Sequence, residues 1–143
     1  MRRHLAGLAA TAALAGCGGG NDFAEEATAV CERKGAEVEK LPPPRALILF
    51  EDYLEKALPI LRAQHSEVRS LDGADSDGAA DMIKGWEAVL AALEDMQKGA
   101  KAGSDIEIVI PLRRAAAAEK LADEAARAAG ADACVGFNPI TPA

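Results

Sequence analysis

Aromatic residues are scarce in this chain: Trp86, Tyr53, Phe23, Phe50 and Phe137 are all it has. Five rings in 143 residues leave few platforms for stacked bases, and a net charge of −7 repels phosphate backbones, so nucleic acid is not an expected partner. Histidine is nearly absent too, with His4 and His65 alone. One histidine in the body of the chain and a pair of cysteines tied up in a disulfide cannot supply a closed zinc site, so no metal is expected. No glycine-rich phosphate loop follows a strand, and no cofactor is implied. No apolar run approaches the roughly 20 residues that a membrane-spanning helix needs. The length leaves room for one domain.

What is present begins with the N-terminus. Met1-Arg2-Arg3-His4 is a short basic segment, and Leu5 to Ala15 is an apolar run of the length found in secretory signals. Leu14-Ala15-Gly16-Cys17 follows. These residues resemble the lipobox of bacterial lipoproteins at all four positions, and the likeness covers the first twenty residues. The resemblance implies that residues 1–16 are a removed signal peptide and that Cys17 becomes the first mature residue, carrying lipid on its sulfur. Residues 17–21 then form the lipidated cysteine and a Gly-rich tether, and 22–143 the folded domain. Two or more acyl chains suffice for stable anchoring where one does not. The expected location is the cell membrane, on its extracytoplasmic side. Loss of Arg2 and Arg3 with the leader takes the net charge to −9.

Three cysteines in an exported protein leave one odd thiol. With Cys17 as a thioether, Cys31 and Cys134 remain as an even pair in a compartment that permits disulfides. A bond between them would close about 100 residues, for which loop entropy gives roughly 4–5 kcal/mol before strain. Two unconnected buried thiols are the alternative.

The body of the chain is rich in alanine, leucine, glutamate and lysine, which lose little freedom in helices. Four helical segments are expected. Asp22 and Glu25 fit a capping box, after which Phe23, Ala27, Val30, Cys31, Val38 and Leu41 recur at helical spacing until Pro42-Pro43-Pro44. Arg45 to Leu71 follows, with Leu47, Phe50, Leu54, Ala57 or Leu58, Leu61, Val68 and Leu71 on one face and a kink expected at Pro59. Asp72 to Asp77 has turn chemistry, and Ser76 or Asp77 is placed to cap the third helix. Met82 or Ile83, Trp86, Val89 or Leu90, Leu93 and Met96 form that helix's stripe, which Gly99 to Gly103 closes. Ser104 and Glu107 suit a second capping box, opening a fourth helix that ends at Gly130. Ile106 to Ile110 is β-rich but would be a lone strand, so it reads as helix with a bend at Pro111.

Short connections make successive helices antiparallel, giving an all-α, up-down-up-down four-helix bundle. In such a bundle the fourth helix ends beside the start of the first. The tail beyond Gly130 then reaches Cys31 with Cys134.

The chain from Cys31 onward also resembles a set of small actinobacterial lipoproteins without assigned function. The likeness rests on Cys31, Leu41-Pro42-Pro43-Pro44, Tyr53-Leu54, Ala57-Leu58-Pro59-Ile60, Trp86 and Cys134. It implies a paired cysteine and a helical domain, and no activity. Ala46 departs from the pattern, where a capping threonine is usual, as does Ile106 to Pro111, where an alanine-rich helix is usual.

Chemistry is sparse. Asp75 and Asp77 fall at calcium-ligand positions if Gly78 is the loop's turn glycine, but Gly73 and Lys84 then occupy positions that need Asp and Glu, so the segment fails as a calcium loop. Carboxylate pairs such as Glu25-Glu26 and Asp123-Glu124 lie among basic neighbours on polar faces. No enzyme is expected. The reading is a lipid-anchored extracytoplasmic helical domain that acts by contact with an envelope protein or wall component. The alternative is a carrier holding a small apolar ligand between kinked helices, in a cleft around Trp86, Tyr53 and Phe50.

Overall fold

The computed structural model describes residues 19–140, and among them every regular element is helical. Helix α1 spans Gly19–Glu39, α2 Phe50–Arg69, α3 Asp77–Ala102 and α4 Asp105–Ala128. Two short 3₁₀ turns accompany them, Leu47–Leu49 before α2 and Asp132–Cys134 after α4. The helices pack in sequence, α1 on α2, α2 on α3 and α3 on α4, while the Asp132–Cys134 turn returns to α1. This is the four-helix bundle expected, with its tail bound to the first helix: Cys31 and Cys134 form a disulfide with their Cα atoms 5.1 Å apart. The fourth helix ends beside the first. A Cβ placed on Gly130 would lie 3.5 Å from that of Ala24.

The core follows the long apolar stripes. Phe50, Leu54, Leu58, Leu61 and Val68 of α2 are buried against Met82, Trp86, Val89, Leu93 and Met96 of α3. Leu71 is partly buried, while Leu47 remains exposed. Between α3 and α4 the packing changes character. Gly78, Gly85 and Gly99 of α3 approach Ala129, Ala122 and Glu107 so closely that a Cβ on Gly85 would lie 2.6 Å from that of Ala122. The glycines fall at multiples of seven, with buried Ala92 at the intervening position and buried Ala115 on α4. Small residues at this spacing keep one seam of the helix free of side chains, so the two axes come together closely. Pro111 removes the N–H that would have bonded the Glu107 carbonyl, and it is against this peptide that Gly99 is seated.

Charged pairs join the outer edges. Arg33 and Lys34 of α1 meet Glu67 of α2, Arg62 of α2 meets Glu94 of α3, and Asp95 of α3 meets Arg114 of α4 at 2.8 Å. Hydrogen bonds from Arg114 and then Lys98 hold Asp95 below the usual carboxylate range. Exposed pairs of this kind are screened by water and contribute little, so burial decides the fold.

Four details differ from the sequence reading. Helix α1 begins at Gly19, so Asp22 sits in its first turn rather than at its cap, and Gly19 and Gly20 are helical rather than tether. An early carboxylate still favours the helix dipole there. Helix α2 starts five residues later than Arg45: Ala46 has no side chain with which to cap, and the chain enters through the 3₁₀ turn. Ser76 occupies the N-cap of α3 without making a capping bond. Helix α3 continues through Gly99, and Gly103, with φ 67°, ends it. Of the second capping box, the Ser104 half forms: its Oγ accepts from the Glu107 N–H at 3.4 Å. Ile106 to Ile110 lies in α4, and helix continues through both Pro59 and Pro111. Cys17 and the leader lie outside the described residues.

Candidate functional site

The tail after α4 is short, yet it makes one wall of a groove. Beyond the disulfide, the Gly136 N–H donates to Asp123 Oδ1 at 2.9 Å and the Asn138 N–H to Glu119 Oε1 at 3.0 Å. Both acceptors are on α4, and Glu119 and Asn138 are buried. Buried backbone donors need such partners, since an unmet one costs about 1–3 kcal/mol. The Phe137 ring stacks on Trp86, centroids 4.4 Å apart and planes 9° from parallel. Residues 131–140 thus cross the bundle as a strap, covalently held at α1 and hydrogen-bonded at α4.

Between the strap, α1 and α2 lies a groove of about 580 Å³. Helix α1 turns Glu32, Gly35, Ala36 and Glu39 towards it, at positions i, i+3, i+4 and i+7 of one face. The two middle residues are small, so the wall is low at its centre and carries a carboxylate at each end. Val38, Leu41, Leu61 and Phe137 supply apolar lining. A smaller hollow of about 200 Å³ adjoins across Leu41, Pro43 and Tyr53, which line both, and runs on over Pro42 and Pro44.

Two buried polar side chains sit in the groove's lining. Gln64 is 4% exposed and its amide Nε2 donates to Cys31 Sγ at 3.3 Å, while its Oε1 has no partner among the described residues. Tyr53 is 7% exposed, and its hydroxyl likewise has no partner there. Burial pushes the Tyr53 phenol up, so it stays a protonated donor.

Of the three residues expected to form a cleft, Tyr53 alone lines the groove. Trp86 is fully buried behind Phe137, and its Nε1 is a buried donor without a partner. Phe50 is buried in the core at the start of α2. Nothing in the sequence singled out Gln64 or Glu119, because both fall at ordinary helical spacing. Asp72, Asp75 and their neighbours form the α2–α3 turn, and among the described residues no cluster of three His, Cys, Asp or Glu is placed to hold a metal ion. His65 is pushed below its ordinary value by burial, against the pull of Glu87, whose Oε1 is 3.5 Å from Nε2.

A second surface is the outer side of α4. Ile106 is 71% exposed, Ile110 56% and Leu121 66%. With exposed Ala117 they lie on one helical face, bordered on one side by Arg113 and Lys120, which have no ion-pair partner among the described residues. No protein-family model matches the chain, and no curated protein or solved structure matches it significantly.

Proposed function

We propose that this chain is a lipid-anchored extracytoplasmic binding module, held by lipid on Cys17, which acts by contact with another component of the cell envelope and carries out no reaction. The outer face of α4 supports this reading best. Three large aliphatic side chains stand in water there when a helix facing solvent would normally be polar. Single exposed hydrophobes need no explanation, but several along one face, bordered on one side by two cations without ion-pair partners, suit a partner with an apolar patch and an acidic edge. The Cys31–Cys134 bond supports the oxidising location, since such bonds persist outside the cytoplasm. It also leaves Cys17 as the odd cysteine, available for lipid.

The test is site-specific photo-crosslinking in native cells. A probe at Ile110 should capture a discrete partner, and Ile106→Glu should abolish that capture. A probe at Ala29, exposed on α1, should not capture it. If the two probes give the same products, or Ile106→Glu leaves the Ile110 product intact, the α4 face is not the interface.

The carrier reading has its own support in the groove beside Tyr53, whose volume lies within the range of ligand pockets. It moves the ligand from Trp86 to the other side of Phe137.

A further inference from the structure

The groove has a chemical bias that its size alone does not give. We infer that it binds an amphipathic cation, an apolar body carrying a protonated amine or guanidinium, laid along α1 with the charge between Glu32 and Glu39. This inference rests on the carrier reading only in placing a ligand in the groove.

Three observations carry it. First, the groove's lining includes two carboxylates and no lysine, arginine or histidine. Glu32 and Glu39 have no ion-pair partner among the described residues, whereas neighbouring Lys34 is engaged by Glu37 and Glu67. Seven residues of helix separate the two carboxylates by roughly 10 Å along the axis, so their fields overlap over the low centre of the wall. An anion would be repelled from both ends. Second, the body of the groove is apolar, built from Val38, Leu41, Leu61 and Phe137, which asks for a hydrocarbon portion. Third, Tyr53 and Gln64 are more than nine-tenths buried, line this groove, and retain an unmet hydroxyl and an unmet amide oxygen. A ligand N–H can donate to either oxygen; a carboxylate ligand could accept from the phenol and from the second Gln64 N–H, but it would face two like charges. The two carboxylates therefore set the sign, and the apolar lining and the polar groups of Tyr53 and Gln64 suit the rest of such a ligand.

Gly35 makes the inference testable without threatening the fold. A Cβ added there meets nothing within 4 Å, so a larger side chain enters the groove and not the core. The experiment uses the full chain with its disulfide formed and Cys17→Ser, so that attached lipid does not compete. Hexylammonium, 1-hexanol and hexanoate are titrated in turn, with binding followed by amide chemical shifts. Hexylammonium should bind about tenfold more tightly than hexanol, and hexanoate more weakly still. The shifts should be confined to residues 32–39, 53, 61–64 and 133–139. Gly35→Leu should abolish them, and Glu32→Gln with Glu39→Gln should bring the amine down to the level of the alcohol. An acetylated Leu-Lys-Leu amide distinguishes the source: tighter binding than hexylammonium assigns the cation to a peptide side chain, weaker binding to a small amine. If the alcohol or the acid binds as well as the amine, the groove is a carrier site without this charge preference, and the inference fails alone. If none of the three binds there, or Gly35→Leu changes nothing, the groove is not a ligand site and the carrier reading falls too.

Discussion

Gly35 and Gly85 should answer the same substitution with opposite signs. Each lies inside a helix, where alanine is favoured over glycine by up to about 1 kcal/mol. At Gly35 the new methyl meets open space, so Gly35→Ala should stabilise by most of that amount. At Gly85 the methyl would lie 2.6 Å from the Ala122 Cβ and 3.0 Å from its Cα, atoms that cannot swing aside. Forcing α3 and α4 apart has an overpacking penalty of about 1–3 kcal/mol, which exceeds the propensity gain. Gly85→Ala should therefore be destabilising overall, by up to about 2 kcal/mol in urea unfolding, and a stabilised Gly85→Ala would show that the seam is not close-packed. His65 gives a second expectation at this scale. Its folded value lies below the unfolded one, because burial disfavours the charged ring, so the unfolded chain takes up the proton first as pH falls. The stability this group contributes is complete above about pH 6.5 and is lost as pH falls through the folded value. His65→Gln should flatten thermal stability over that acidic window, and an unchanged slope would remove His65 as its source.

At the scale of elements, the tail is the part whose role depends most on a single bond. The disulfide spans 103 residues, and loop entropy gives such a closure about 4–5 kcal/mol. Reduction, or Cys31→Ala with Cys134→Ala, should lower stability by up to that amount. It should also free the strap, so Phe137 leaves the Trp86 face and the indole emission moves to longer wavelength before the helices melt. A single transition at unchanged urea midpoint would mean the strap is held without the bond. The pairing itself was readable from cysteine parity, and the stripes of α2 and α3 from large residues at helical spacing. The helicity of Ile106 to Ile110 followed from the lack of a partner strand. The boundary of α1 was not readable, because polar Asp22 suits a first turn as well as a cap. The strap was invisible for another reason. Phe137 and Asn138 lie in a segment without periodicity, and their partners Trp86 and Glu119 are 51 and 19 residues away in sequence. Glu119 is spaced like its exposed neighbour Glu124, so only packing tells them apart. The α3–α4 seam was half legible: alanine-rich composition suggests close packing, and the seven-residue recurrence of Gly78, Gly85 and Gly99 marks where. Nothing in the sequence marks Glu32 and Glu39, because the groove they line is closed by Leu61, Gln64 and the strap, which are distant in sequence.

The whole molecule has two unlike ends. The start of α1, the α2–α3 turn and the end of α4 share one of them, as the approaches of Gly130 to Ala24 and Gly78 to Ala129 require. The α3–α4 turn and the first residues of α4 are at the other, where Gly99 meets Glu107. The 24 residues of α4 separate these ends by about 36 Å. Cys17 precedes α1 by two residues in sequence, so a lipid on it would enter at the first end and leave Ile106 and Ile110 near the second, away from the bilayer. That polarity is useful only if Cys17 is the attachment point, and the cysteines themselves can report it. On the anchor reading Cys17 sulfur is a thioether, which no reductant opens, while Cys31 and Cys134 are held as a disulfide. Protein isolated from native cells and denatured without reductant should take up no alkylating label. After reduction it should take up two labels, and the intact mass should correspond to a chain starting at Cys17 with added acyl and glyceryl groups. A third label after reduction would mean an unmodified Cys17, and the anchor with the orientation it imposes would have to be abandoned, leaving the groove and the α4 face to be tested on a protein free in solution.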